Sequence, residues 1–333
     1  MPAALHVAAI SPRAVYERGQ LWCSVMLAGV YPLDSCSVIS YSNSIMSNQM
    51  TVLEFFKLFP DNDTCLEHLM KTRYGNPLTC PKCEKTSKFS KHGKRPVYQC
   101  QWCSHQVSPM AGTPFESSRT PLVKWFYAMY LFTTSRHGVA AKELQRQIGV
   151  TYKCAWRMCH EIRKYMGEVD GIPPMTDHIE VDETYIGGKR PKVKGFTGRG
   201  AKGKTVVMGI LERGGEIYTQ VVPSAAGKNL IPPIVNNVPK GTKVSTDEWA
   251  PYKVLTGLGY RHATVEHRSK EYARGEVHVN GLEGFWAQLK RSINGTHIHV
   301  SRKHLPAYLA EFEYRFNMRH HPQWMFHRLM MSF

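Results

Sequence analysis

Three acidic residues in the second half of the sequence have a spacing that could support metal-dependent chemistry. Asp182, Asp247 and Glu283 each stand at the edge of a segment with a regular apolar pattern. Carboxylate oxygens are ligands that Mg²⁺ and Mn²⁺ prefer, and two such ions can bind the attacking and leaving oxygens of a displacement at phosphorus. The acids therefore predict a site for two catalytic cations. Since a chain of 333 residues offers many acid triples, this interpretation needs support from the surrounding elements.

A series of strands is predicted to position the two aspartates. In the segment 178–188, Ile179 and Val181 face one side of a strand, whereas Glu180 and Asp182 face the other. Further strands are predicted at 204–213, 216–223, 242–247 and 263–267. The first three strands form a meander, and the fourth ends in an acid. The neighbouring acids are interpreted as solvated or salt-bridged residues: Glu180, Glu183 and Glu248.

A helix that begins near Asn280 is predicted to carry the third acid. Phe285 and Trp286 belong to its apolar stripe. Glu283 and Lys290 are seven residues apart, so two helical turns place them on one face. A helix that crosses the edge of the sheet would bring this face toward the aspartates.

Four cysteines form two Cys-x-x-Cys pairs with 16 residues between them: Cys80, Cys83, Cys100 and Cys103. Two such turns complete a tetrahedral Cys₄ shell for one Zn²⁺. Because all four ligands are used, the ion would be structural, and it would supply the folding energy of a segment with few apolar residues. A redox role for one pair is the alternative, and the presence of two matched pairs argues against it.

Residues 139–157 have the pattern of a helix-turn-helix, in which Gly149 permits the turn and Thr151 caps the second helix. The inner face of that helix is predicted to contain Ala155, Trp156, Cys159 and Ile162. Its outer face presents residues suited to DNA, namely Tyr152, Lys153, Arg157, His160 and Arg163. Helical hairpins that bind nothing are common, so the interpretation depends on the neighbouring zinc motif and on the charge.

The overall charge indicates a polyanionic partner. The chain has 43 Lys and Arg against 26 Asp and Glu, a formal net charge of +17. Lys and Arg gain affinity for nucleic acid by neutralising phosphates and releasing counterions, although a merely basic soluble protein is the alternative. An odd total of nine cysteines argues against a secreted disulfide framework and favours a reducing compartment. No apolar stretch is long enough for a membrane span, so no membrane partner is expected.

Several segments, taken in order, resemble bacterial insertion-sequence transposases that carry an N-terminal zinc ribbon and a DDE catalytic domain. These segments are 141–150, 179–189, 247–252, 278–291 and 303–319, together with the cysteine pairs. The resemblance covers about residues 46–322. It implies an α/β, ribonuclease H-like mixed-sheet catalytic domain, preceded by a small zinc ribbon and a helix-turn-helix. It also implies dependence on Mg²⁺ or Mn²⁺, binding to terminal inverted repeats, joining to target DNA, and action as a homo-oligomer.

The third acid position varies in this family, and an Asn can be assigned to it, so Asn280 rivals Glu283. We prefer Glu283 because a carboxylate binds Mg²⁺ better than an amide does, and because Lys290 follows it by seven residues. Lys290 and Arg291 are expected to contact DNA phosphates, and His278 to orient a neighbouring residue. A basic loop is expected to follow a DNA backbone through Lys189, Arg190, Lys192 and Lys194, unless it is only a flexible surface loop.

The expected domain order follows from these segments. It comprises a disordered extension at 1–45, a helical lead-in at 46–76, the zinc ribbon at 77–110, the helix-turn-helix region at 115–168, the catalytic domain at 176–322 and a tail at 323–333. The protein is expected in the bacterial cytoplasm, associated with the nucleoid. A nuclease or resolvase without strand transfer, and a catalytically inactive DNA-binding protein, remain the alternatives to a transposase.

Overall fold

The computed structural model of the protein describes residues 49–75, 77–93, 95–171, 175–187, 203–265 and 278–333. The expected extension at 1–45 lies outside these ranges. The chain divides into two compact units, one formed by Met1–Phe126 with Phe326–Phe333 and the other by Tyr127–Met325. Across the described ranges, the helices fall short of the combined length and apolarity that a membrane crossing requires.

The first unit combines short helices with a small sheet. Its elements are α1 (Val52–Leu58), α2 (Asn62–Tyr74), β1 (Phe89–Lys91), β2 (Tyr98–Cys100) and β3 (Gln106–Val107). Thr51 and Glu54 form a capping box that starts α1, and the Asp61 side chain accepts from the Thr64 N–H to start α2. The three strands are antiparallel in the order β1-β2-β3. One cysteine pair precedes this sheet, and the other begins at Cys100, the last residue of β2.

The second unit opens with helices. They are α3 (Leu122–Thr134), whose residues from Tyr127 onward belong to this unit, α4 (Ala141–Ile148) and α5 (Tyr152–Asp170). Gly149 adopts a left-handed conformation (φ 61°) at the turn between α4 and α5, and the Thr151 hydroxyl accepts from the Cys154 N–H to start α5. The sequence therefore predicts both helices and the turn between them.

A five-stranded mixed sheet forms the centre of the second unit. Its strands are β4 (Ile179–Ile186), β5 (Thr205–Glu212), β6 (Ile217–Val222), β7 (Lys243–Asp247) and β8 (Arg261–Val265), in the spatial order β6-β5-β4-β7-β8. β4, β5 and β6 are the antiparallel meander that the sequence predicts, whereas β7 pairs parallel to β4 and β8 parallel to β7. β4, β7 and β8 therefore run in the same direction, with their carboxyl ends toward the same end of the sheet.

Helices cover both faces of this sheet. The remaining elements of this unit are α6 (Gly227–Asn237), α7 (Val254–Gly257), α8 (Asn280–Ser292) and α9 (Leu305–Asn317), with a π-helical turn at Ile293–His297 and short 3₁₀ turns at Ala250–Lys253 and Pro322–Trp324. The last helix, α10 (Met325–Met331), belongs to the first unit from Phe326 onward. Ile179 and Val181 pack in the core on the α6 side, and Leu211 packs in the core on the α8 and α9 side. Nearly all of β5 is buried, as expected for a strand covered on both faces.

The structure corrects the assignment of Arg163 to a DNA-binding surface. Arg163 is buried, with 1% of its surface exposed, because α9 packs against the second half of α5. Its Nε donates to Glu311 Oε2 at 2.7 Å and its Nη2 donates to the Val139 carbonyl at 2.8 Å. The pattern on α5 also misplaced Trp156, which is 38% exposed rather than internal.

Candidate functional site

Asp182 and Asp247 are neighbours in the sheet, at the point where β4 stops pairing with β7. Asp247 is the last residue of β7, whereas Asp182 lies in the middle of β4, which continues to Ile186 and not, as the sequence suggested, only to the aspartate. The parallel register pairs Glu180 with Ser245 and Val181 with Thr246, so the two aspartates are the next residues along adjacent strands. Neighbouring strands are about 4.8 Å apart, and residues in register point to the same face. The structure therefore brings together the first two of the three predicted acids.

The surroundings of Asp182 disfavour its negative charge. Burial, together with the nearby charges of Glu183 and Asp247, raises the pKa of Asp182 to about 7. A hydrogen bond from Trp286 Nε1 to Asp182 Oδ2, at 3.1 Å, acts against this shift. Two close carboxylates with this geometry are a donor set that suits a divalent cation.

Helix α8 lies over Asp182. Gly209 is the β5 partner of Asp182, and a Cβ atom there would lie 2.6 Å from Trp286 and 2.8 Å from Leu282. Only glycine admits this approach of the helix. Lys290 is one turn beyond Trp286; burial lowers its pKa, and the negative charge of Asp182 acts in the opposite direction. Lys290 is therefore near Asp182, and its contact with DNA stays a prediction.

The third ligand position has two candidates, both on α8. Glu283 and Asn280 are both exposed in the first turn of α8, on the helix that contacts Asp182 through Trp286. In the described part of the chain, the cysteine quartet is the one set of three or more His, Cys, Asp or Glu side chains close enough to share a metal ion. The choice between Glu283 and Asn280 remains a prediction.

Glu183 is an acid that sequence reasoning set aside and the structure places beside the aspartates. It is half-buried in the middle of β4, and the Tyr252 hydroxyl donates to its Oε2 at 2.7 Å. Burial raises the pKa of Glu183, and the charge of Asp247 adds to that rise. Tyr252 lies in the segment 247–252 that carries the family resemblance. A buried tyrosine needs a hydrogen-bond partner, and this requirement could have pointed to an acid such as Glu183.

Glu180 is salt-bridged, one of the two interpretations that the sequence allowed. It lies in the core of the sheet, where Arg213 Nη2 is 3.2 Å from its Oε1. His278 Nδ1 lies 3.1 Å from the same oxygen, so His278 does orient a neighbour. The backbone N–H of Leu282 in α8 donates to Glu180 Oε2 at 3.2 Å. Glu180 is therefore bound to the helix that carries the rest of the candidate site.

The four predicted cysteines form one cluster in the first unit. Their sulfur atoms all lie within 4.8 Å of one another. Cys80 Sγ and Cys103 Sγ are 3.7 Å apart, and Cys83 Sγ and Cys100 Sγ are 3.9 Å apart. A tetrahedral Zn²⁺ with bonds of about 2.3 Å has a sulfur–sulfur edge of about 3.8 Å, whereas a disulfide requires about 2.05 Å. The cluster fits one structural zinc ion with no ligand position left for chemistry.

The proposed DNA-contacting residues have different surroundings. Tyr152, Lys153 and Arg157 are exposed at the start of α5, and Lys142 lies over the Tyr152 ring at 5.1 Å. Arg291 is exposed near the end of α8. The four basic residues of the predicted loop, Lys189, Arg190, Lys192 and Lys194, lie outside the described residues.

Comparisons with known proteins agree with these features. A family model described as the ISXO2-like transposase domain matches residues 174–317, and one described as the transposase zinc-ribbon domain matches residues 60–106. An uncharacterized protein in the transposable element ISH50 of Halobacterium salinarum is 28% identical over 277 residues, which are 78% of this chain and 92% of that protein. An uncharacterized transposase-like protein of Haemophilus influenzae is 33% identical over 105 residues, 31% of this chain and 81% of that protein.

The zinc-ribbon match contains all four clustered cysteines, and the transposase match contains both aspartates and the helix above them. The first match lies within the first compact unit, and the second spans most of the second unit. The chain belongs to the family of insertion-sequence transposases that join a zinc ribbon to an ISXO2-like transposase domain.

Proposed function

We propose that the protein binds the terminal inverted repeats of its element and performs Mg²⁺-dependent cleavage and transfer of DNA strands. The observation that carries this proposal is the adjacent placement of Asp182 and Asp247 on the parallel strands β4 and β7. Helix α8 contacts Asp182 through Trp286. Paired carboxylates that can hold divalent cations suit phosphoryl transfer on DNA.

The order of strands supports a ribonuclease H-like fold for the catalytic domain. A three-stranded antiparallel meander is followed by two parallel strands, and helices lie on both faces. In this arrangement the first and fourth strands in the sequence are neighbours, which brings acids 65 residues apart into one site. The expected boundaries of the catalytic domain, 176–322, belong to the same proposal.

The residues of the site have distinct roles in the proposed reaction. Asp182 and Asp247 bind the cations, with a further oxygen from Glu283 or Asn280. Once bound, a pair of Mg²⁺ ions supplies activation of the attacking water or 3′-hydroxyl and stabilisation of the leaving oxygen. Trp286 fixes the orientation of Asp182 through its 3.1 Å hydrogen bond. Lys290 lies near Asp182 and is placed to bind a phosphate of the strand that is cut.

DNA binding in this proposal uses both units. The exposed residues Tyr152, Lys153 and Arg157 on α5 suit a helix-turn-helix recognition helix. The net charge of +17 supplies the electrostatic part of the affinity. The zinc ribbon would contribute to recognition of the element ends. Joining two ends to one target requires more than one active site, so we propose that the protein acts as a homo-oligomer on DNA.

The proposal is tested with purified protein, Mg²⁺, a labelled element end and a target plasmid. We expect cleaved ends and, in addition, products in which the labelled end is joined to the plasmid. Cleaved ends without any joined product would contradict the transposase proposal and indicate a nuclease or resolvase. Bound but uncut DNA would indicate a protein that acts by DNA binding alone.

A further inference from the structure

Glu180 is a buried acid whose two carboxylate oxygens face different elements. Only 1% of its side chain is exposed. Its Oε1 accepts from Arg213 Nε and Nη2, each at 3.2 Å. Its Oε2 accepts from the backbone N–H of Leu282 at 3.2 Å. An unpaired buried carboxylate is strongly destabilising, so these partners explain how the charge is retained in the core.

The hydrogen bond from the Leu282 N–H to Glu180 caps the N-terminus of α8 with a side chain from β4. The first N–H groups of a helix have no partner within the helix, and a negative charge is favourable at that end. Val279, which precedes α8, provides no side-chain cap. Glu180 supplies both the acceptor and the charge from β4. The first turn of α8, which contains Asn280 and Glu283, is therefore bonded to the strand that carries Asp182.

Gly281 lets the helix approach Glu180. A Cβ atom at this position would lie 2.5 Å from Leu211 Cδ2 and 2.8 Å from Glu180 Oε2, closer than Cβ atoms come to other heavy atoms. Gly284, one turn later in the same helix, has nothing within 4 Å of the corresponding position. The sequence Asn280-Gly-Leu-Glu-Gly thus contains one glycine that the contact requires and one that it does not.

Arg213 and His278 hold the chain that enters the helix. Arg213 Nη2 donates to the His278 carbonyl at 3.2 Å, and Arg213 Nη1 lies 3.0 Å from His178 Nδ1. His178 Nε2 lies 2.7 Å from Ser245 Oγ on β7. The network therefore joins β4 and β7, the two strands that carry the aspartates, to the start of α8.

We propose that Glu180 is a positioning residue, which sets the first turn of α8 and so the placement of the third ligand against Asp182 and Asp247. This inference rests on the proposed function, because the placement matters only if Asn280 or Glu283 completes a cation site. Groups that orient metal ligands commonly contribute about 10- to 100-fold to metal affinity or activity. Glu180 would act through the helix and would not touch substrate.

The first arm of the test measures backbone hydrogen exchange in full-length protein without DNA. Glu180→Gln keeps the shape and an acceptor but removes the charge that Arg213 pairs with, and Gly281→Ala disturbs the same contact from the helix side. Both variants should speed exchange in the peptide 279–286 while the strands of the sheet keep their protection. Gly284→Ala is the matched control and should leave this exchange unchanged. Unchanged exchange in Glu180→Gln and Gly281→Ala would overturn the proposal.

The second arm measures end cleavage as a function of Mg²⁺ concentration. In Glu180→Gln and Gly281→Ala, the concentration for half-maximal cleavage should rise about 10-fold or more, with unchanged affinity for the element end. Faster exchange with an unchanged Mg²⁺ dependence would show a merely structural contact and overturn the positioning role. If wild-type protein cuts no DNA, the proposed function fails, whereas the exchange arm still decides whether Glu180 holds the helix.

Discussion

At the scale of residues, the site is defined by how charged groups are held together. Asp182 and Asp247 are adjacent because β4 and β7 pair in parallel, and Trp286 donates to the first of them. Glu183 adds a third carboxyl group beside them, which accepts a hydrogen bond from the Tyr252 hydroxyl. Close carboxylates repel one another unless a cation lies between them, so this arrangement suits cation binding better than it suits stability.

The third ligand can be assigned by separate substitution of the two candidates on α8. If Glu283 binds the cation, Glu283→Gln should reduce cleavage by at least about 100-fold, because an amide is a poorer ligand for Mg²⁺ than a carboxylate. Asn280→Ala should then reduce cleavage far less. Both rates are measured at saturating Mg²⁺ and with DNA binding checked by gel shift. The reverse order of effects would assign the position to Asn280.

Glu313 predicts a pH dependence of stability that is independent of the metal site. Burial raises the pKa of Glu313 from 4.5 to about 8, against hydrogen bonds from Thr219 that lower it. Between these pH values the unfolded chain has lost a proton that the folded chain keeps, so this group makes stability fall as pH rises. The thermal midpoint of wild type should therefore drop more from about pH 5 to about pH 8 than that of Glu313→Gln. Glu67→Gln, an exposed control, should follow wild type; equal drops in wild type and Glu313→Gln would contradict the assignment.

Strand alternation was sufficient to predict which residues of β4 face which side of the sheet. Ile179 and Val181 enter one core, and Glu180 and Asp182 face α8. The burial of Glu180 could not be predicted, because its cost depends on Arg213, which is distant in sequence. The burial of Arg163 could not be predicted for the same reason, since its partner Glu311 lies on another helix.

At the scale of elements, α5 has two parts with different tasks. Its first turns expose Tyr152, Lys153 and Arg157, whereas its second half packs against α9. Arg163 and Arg315 both pair with Glu311, and each also donates to a carbonyl in the loop before α4, at Val139 and Ser135 respectively. These buried ion pairs attach the helical hairpin to the helix that covers the sheet.

Two arginines on α5 separate these tasks experimentally. Arg163→Ala should lower the free energy of unfolding by about 3–5 kcal/mol, because it leaves a buried acid with one partner fewer. Arg157→Ala, on the exposed part of the same helix, should change stability by about 0.5 kcal/mol or less but weaken DNA binding. Urea unfolding and titration with an element end provide the two measurements. An Arg163→Ala variant with full stability and weakened DNA binding would contradict the burial of this side chain.

Local patterns predicted most elements but not all of their limits. The meander and the fourth strand were predicted within a few residues, because their apolar alternation is regular. Two consecutive prolines, Pro232 and Pro233, ordinarily break a helix, yet α6 runs from Gly227 to Asn237 through both. Packing of Leu230 and Ile234 against the sheet outweighs the backbone hydrogen bonds that the prolines cannot make.

At the scale of the whole molecule, the five-stranded sheet and the ribbon segment depend on different sources of stability. The five-stranded sheet has apolar cores on both faces, whereas residues 77–107 bury few apolar side chains apart from the cysteine cluster. A segment with so few buried apolar side chains is expected to need a bound metal ion in order to fold.

Removal of zinc should therefore unfold the ribbon selectively. Wild-type protein is expected to contain one zinc ion per chain, and Cys80→Ser should release it. Hydrogen exchange should then become fast across 77–107 and remain slow in the five-stranded sheet. Cys154→Ser, outside the quartet, is the control and should keep its zinc. Unchanged zinc content in Cys80→Ser would contradict the ribbon assignment.

The central claim is that Asp182 and Asp247 form the cation site for DNA strand cleavage and transfer. The most direct test compares Asp182→Asn with Asp177→Asn, the same chemical change at an exposed position just before β4. Both variants should bind the element end as wild type does. Asp177→Asn should cleave and join at the wild-type rate, and Asp182→Asn should do neither at any Mg²⁺ concentration. Cleavage by Asp182→Asn, or loss of cleavage in both variants, would contradict the account.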